Sequence, residues 1–161
     1  MPKVVMALVV WFMWSAGKDL DALVRYSITS DYYILSNAGL MQLYFVMGGA
    51  VFLANLSVVY LLFRPGAGSL RTVFIALGLA AVQGIVTFAL AIRDLPGARE
   101  AYARGREIRG LSVREDALDM IFTPGGMLMT VGIMLILYAL VASMAWRSRR
   151  YLSGVTEVAS F

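Results

Sequence analysis

Cysteine and histidine are both missing from this 161-residue chain. Without cysteine there is no disulfide framework, no thiolate nucleophile and no thiolate-held metal or iron–sulfur cluster. Without histidine the usual haem and zinc ligand, the serine–histidine dyad and the common neutral-pH proton switch are gone too. Charge is scarce at 15% of residues, and none at all falls in 40–63 or 72–92. No catalytic, cofactor or metal motif stands clear of background, so the expectation is no catalytic residue, no cofactor and no metal.

What fills the chain instead is apolar: 60% of residues are hydrophobic and the mean hydropathy is +0.77. The apolar residues gather in long uncharged runs, which points to lipid as the solvent. Runs 40–63 and 72–92 each exceed the roughly 20 residues that a helix needs to cross a bilayer. Between them lies a short turn containing Arg64, Pro65 and Gly66, so the two helices are expected to be antiparallel neighbours. The predicted fold is all-α, an integral membrane bundle of four transmembrane helices forming one domain. Its spans are placed at about 4–23, 40–63, 72–92 and 125–146, with an amphipathic helical outer loop at 93–121 and a basic cytoplasmic tail at 147–161.

The first of these spans is the least uniform. Residues 4–16 are apolar but short, and Ser15-Ala16-Gly17 resembles a small-residue cleavage site. A retained signal-anchor helix reaching about Leu23 is preferred over a cleaved signal peptide or an interfacial segment, because Trp11 and Trp14 crowd that site. From Gly17 to Asn37, Lys18, Asp19, Asp21, Arg25 and Asp31 alternate with apolar residues and with Tyr26, Tyr32 and Tyr33. The expectation is a helix continuing past the membrane surface, charges toward water or a partner helix, tyrosines in an interfacial belt. Ser36, Asn37 and Gly39 supply a turn or cap before the next helix.

Within the hairpin, Ala76, Ala80 and Gly84 recur every four residues, and Gln83 and Thr87 make a polar stripe beside them. Asn55 lies deep in its own run. Small residues let helices approach closely in lipid, and an intramembrane amide seeks a partner in the bundle. The candidate intramembrane polar residues are therefore Asn55, Gln83 and Thr87. They are read first as interhelical ties, and second as the lining of a hydrated path.

The polar loop begins at a Leu95-Pro96-Gly97 break and continues as an amphipathic helix, with Ala98, Ala101, Tyr102, Gly105 and Ile108 on one side and a Glu100–Arg104 pair outside. Ser112 to Glu115 has the form of a capping box. Glu115, Asp116 and Asp119 do not share one helix face and so make a poor cation cage; with Tyr102 they are candidate partner-facing residues. Met127, Met129, Met134 and Met144 in the last run read as pliable packing. Trp146 is then followed by Arg147, Arg149 and Arg150, candidate contacts to anionic lipid head groups, and by a loosely ordered tail from Leu152.

With four spans, Lys3, Arg64, Arg71, Arg147, Arg149 and Arg150 fall on one side. By the positive-inside rule that side is cytoplasmic, with both termini, and the expected location is a bacterial inner membrane. The expected partners are the bilayer, its anionic lipids and a membrane-protein partner or second copy of the chain; nucleic acid is not expected. The leading functional expectation is a non-catalytic accessory, scaffold or assembly subunit. An oligomeric small channel or transporter with a polar path near Asn55, Gln83 and Thr87 is the alternative, and a lipid-handling enzyme using Asp19, Asp21, Glu115, Asp116 or Asp119 is weaker.

Overall fold

The computed structural model describes residues 1–154, and every regular element among them is helical. Four long helices, α1 (Lys3–Val24), α3 (Met41–Phe63), α4 (Ser69–Arg93) and α7 (Pro124–Arg147), carry the architecture, while α2 (Ser30–Asn37), α5 (Leu95–Ile108), α6 (Glu115–Ile121) and α8 (Arg149–Leu152) close the ends. Around the bundle α1 packs along α3, α3 along α4 and α4 along α7, and a lighter α7–α1 contact completes the ring. Three of the four, α3, α4 and α7, are long and apolar enough to cross a membrane. The fourth, α1, has 22 residues, about 33 Å at about 1.5 Å per residue, but carries Lys18, Asp19 and Asp21 in its last two turns.

Helix boundaries follow local chemistry. The α3–α4 turn is tied by the Gly66 N–H donating to the Ser69 hydroxyl at 2.8 Å, and Ser69 is buried. Asp94 ends α4 and caps α5 by accepting from the Gly97 N–H at 3.0 Å, with Pro96 in the first turn. Thr123 does the same for α7, accepting from Gly126 at 3.0 Å ahead of Pro124. Gly126 also brings α7 close to the end of α6: a Cβ there would lie 2.3 Å from the Met120 carbonyl oxygen.

Several local expectations need adjusting. Ser112 to Glu115 forms no capping box; Arg114 precedes α6 without a side-chain cap, and the Ser112 carbonyl accepts from Arg106 at 3.0 Å instead. Ser36 and Asn37 do not cap α3, and the chain reverses through Gly39 at φ 73°. In α5, Ala98, Ala101 and Gly105 are buried but Ile108 is exposed. The charged stretch continues α1 as expected through Lys18, Asp19 and Asp21 as far as Val24, but no further. It turns through a 3-10 segment, Tyr26–Ile28, and re-enters the structure as α2.

At the end that holds the α3–α4 turn, the bundle is filled. Val5, Leu8 and Phe12 of α1 meet Val58 and Leu62 of α3, Val73 and Ala76 of α4, and Ala145 of α7. Leu152 of α8 is fully buried in the same cluster, and Tyr151 donates to the Leu62 carbonyl at 3.3 Å. The chain past Arg149 is thus packed as far as Leu152; the rest of the expected loose tail, 155–161, lies outside the described residues.

The opposite end is covered by α2, α5 and α6. Tyr26, Tyr32, Tyr44 and Phe45 form one aromatic cluster with ring centroids 4.9–6.1 Å apart. The Tyr44 hydroxyl donates to the Ala22 carbonyl at 2.7 Å, fastening α3 to the end of α1. Gly105 sits directly on the 3-10 turn, where a Cβ would come within 2.8 Å of the Ile28 carbonyl oxygen, so α5 rests against bare backbone.

Candidate functional site

Toward this covered end the four-helix ring is incompletely filled, with exposed Trp14 and Ile133 at the rim of the space. A cavity of about 410 Å³ is bounded by α1, α3, α4 and α7 and approached by α2. Its lining holds Lys18 and Asp19 of α1, Asp31 of α2, Asn55 of α3, Gln83 of α4, and Thr130 and Tyr138 of α7. The space arises from small side chains. Ala76 is buried in the filled half, whereas Ala80 and Gly84, one and two turns further along the same stripe, border the void. The small-residue ladder expected to be a packing seam is therefore a seam at one end and a cavity wall at the other.

Asn55 fixes the geometry. It lies eight residues, about 12 Å, from the turn end of α3, and is 4% exposed. Its amide donates to the Asp19 carboxylate at 2.7 Å, a charge-assisted bond between helices 36 positions apart in sequence. That bond sets Asp19 level with the interior of α3. The residues that precede it explain why: Val5, Leu8, Phe12 and Ala16 form the buried stripe of α1, and Asp19 follows Ala16 by three residues on that stripe. Lys18, one position earlier, stands 4.8 Å from the Trp14 ring centroid.

Asp31 comes to the cavity from the first turn of α2. Desolvation by the helices around it raises its carboxyl above the ordinary carboxylate range, and the Lys18 charge opposes that shift. Two carboxylates and one ammonium thus converge with two amides, a threonine and a tyrosine. Such a site can hold a polar or charged guest by hydrogen bonds and charge inside a low-dielectric bundle.

Of the three intramembrane candidates, Asn55 and Gln83 share this cavity and Thr87 does not. Thr87 is one helical turn beyond Gln83 and lines a second, apolar cavity of about 250 Å³ among α2, α4, α5, α6 and α7. Asp19 meets a partner helix, one of the two orientations expected for the charges of this stretch, but its convergence with Lys18 and Asp31 on one cavity is not foreseen by the sequence. For Asp19 the signal was its register on the apolar stripe of α1; for Asp31 no local signal exists.

The remaining candidates lie elsewhere. Glu115 and Asp119 both accept from the Arg99 guanidinium, at 2.5 and 2.8 Å, so the charge they share a face for belongs to the neighbouring helix α5. Asp116 is 3.7 Å from Arg114. Tyr102 meets Phe122 in a tilted ring contact, 5.6 Å between centroids. Arg149 stands 5.1 Å from the Trp146 ring at the turn end, with exposed Arg147 and Arg150 beside it. Asp21 pairs with Arg25 at the end of α1, so the five carboxylates of the lipid-enzyme reading are spread over separate places.

Searches against protein-family models, curated proteins and solved structures find no match for this chain.

Proposed function

We propose that this is an integral membrane protein of four spans that binds a small polar solute in the cavity between them, as a binding protein or carrier. The observation that carries the reading is the Asn55–Asp19 bond inside a cavity also lined by Lys18, Asp31 and Gln83. Ionisable groups within a membrane bundle are costly, and where they persist they face a cavity or each other and mark a working site. The same geometry supports α1 as the fourth span, since Lys18 and Asp19, the charges that set it apart from the other three, border the cavity. Its opposite, apolar surface is left for lipid. Lys3, Arg64, Arg71, Arg147, Arg149 and Arg150 cluster at the filled end, and by the positive-inside rule this supports a cytoplasmic position for that end and both termini, in an inner membrane.

A role as an accessory or assembly subunit has a separate support, the apolar surface of α7, which is the least buried of the three apolar helices. Lipid covers such a surface as readily as a partner does, so the cavity weighs more. The absence of native cysteine allows a direct test. Gln83→Cys, reconstituted in liposomes, is expected to react with a small water-soluble methanethiosulfonate at a rate within about tenfold of an exposed Ala67→Cys control. An unreactive Gln83→Cys in folded protein would return Asn55 and Gln83 to a packing role and leave the accessory reading in place.

A further inference from the structure

The polar cavity and the apolar one beside it are not separate features. Asp31, Gly84, Thr130 and Met134 line both. Part of this shared wall is the Met134 side chain, whose sulfur rests on Gly84; a Cβ at position 84 would lie 2.5 Å from that sulfur and 2.8 Å from the terminal methyl. Methionine is unbranched and changes rotamer readily, so this part of the wall is movable. The second cavity is walled by Ile34, Phe88, Phe122 and Val131, and takes apolar groups.

Charge decides what suits the first. Asp19 and Asp31 face a single lysine, which leaves one negative charge in excess when all three are ionised. Asp19 is held by Asn55, but the Asp31 carboxylate accepts no hydrogen bond and joins no ion pair among the described residues. Trp14 in the same lining already carries the Lys18 ammonium over its ring, and Trp11 beside it adds a further aromatic ring, a surface that favours a cation. A bare metal ion is a poor occupant: a space of about 410 Å³ exceeds the roughly 30 Å³ share of one water many times over. Among the described residues no three carboxylates gather as ligands either.

We infer that the two cavities form one bipartite site for an amphiphilic organic cation, its ammonium group in the compartment of Asp19 and Asp31 and its apolar tail past Met134 toward Phe88 and Phe122. This rests on the cavity reading proposed above and names its ligand class. Charge, aromatic faces and the adjoining apolar space are each required: the first excludes anions, the last distinguishes a tailed cation from a small one.

The test uses the full chain with Trp146→Phe, so that Trp11 and Trp14 report from the site, in phosphatidylcholine liposomes. The probes are octyltrimethylammonium, tetramethylammonium and octyl sulfate. Saturable fluorescence change is expected for both cations, with octyltrimethylammonium binding at least about tenfold more tightly than tetramethylammonium. Asp31→Asn should weaken both cations by about tenfold, and this loss separates the site from simple partition into lipid. Thr87→Leu, or Val131→Phe should the first fail to fold, should reduce the octyl compound to the tetramethylammonium value. Equal affinities for the two cations would overturn the bipartite site while leaving a polar solute cavity standing. Octyl sulfate binding as tightly as its cationic counterpart would overturn the charge assignment. Absence of saturable binding by any probe would overturn the inference outright, and reactivity of Gln83→Cys then decides the broader reading independently.

Discussion

The two halves of the bundle use the same four helices for opposite ends. Toward the α3–α4 turn, side chains as large as Phe12, Leu8 and Leu62 meet with no exposure at all in an apolar cluster. Toward the covered end, Ala80, Gly84 and Thr130 border the space between the helices, and α2 reaches it through Asp31. One half supplies the stability that lets the other hold charge in a hollow. Polar sites are costly to fold and are maintained by packing elsewhere, so the cost should be measurable as a contrast between the halves.

The largest expected effect is in the filled half. Phe12→Ala should destabilise by about 2 kcal/mol or more, below the usual range for such deletions in water because separated helices still contact lipid. Met134→Ala, beside the void, should cost less than about 1 kcal/mol, since its neighbours already lack part of their packing. Unfolding in mild detergent measures both. Equal losses would erase the distinction between a filled and a hollow half.

An intermediate effect belongs to the polar tie across the hollow half. Asn55→Ala should lose about 1 kcal/mol, and a double-mutant cycle with Asp19→Ala should return most of it as coupling, in line with interhelical hydrogen bonds in membranes. A coupling near zero would mean that Asp19 stands in the cavity without help from Asn55. In that case the polar lining is set by α1 alone.

How far the sequence foretold this depends on range. Helices α3, α4 and α7 are legible because each is an uncharged run of more than 20 residues, a one-dimensional property that lipid enforces. The break at Leu95-Pro96-Gly97 is legible for an equally local reason, a proline that opens the next helix. The covered end is not, because α2 has eight residues of mixed character and is held by an aromatic cluster and by α5. For the cavity, Asn55 and Gln83 could be singled out as lone amides in apolar runs, but the charges that meet them come from α1 and α2. A residue such as Asp31 acquires its environment only when helices far apart in sequence converge, and no window around it records that. Asp19 is the intermediate case: its place on the buried stripe was there to be read, and the nearby charges argued against reading it.

The smallest effect is the pH dependence of Asp31, and it runs opposite to the others. Its carboxyl is raised by burial, with Lys18 and Asp19 of α1, Tyr44 of α3, Tyr138 of α7 and Tyr102 of α5 the titratable groups on the helices around it. The folded state therefore binds the proton more tightly than the unfolded chain, and stability falls as pH rises from the ordinary carboxylate pKa through the raised one. Asp31→Asn removes that loss. Its melting temperature should exceed that of the unsubstituted protein near pH 8 and converge with it near pH 4, limits that bracket an ordinary and a raised carboxylate. A variant less stable at both limits would mean that the ionised carboxylate contributes to the fold, and the hollow half would then be a structural polar core instead of a site maintained at a cost.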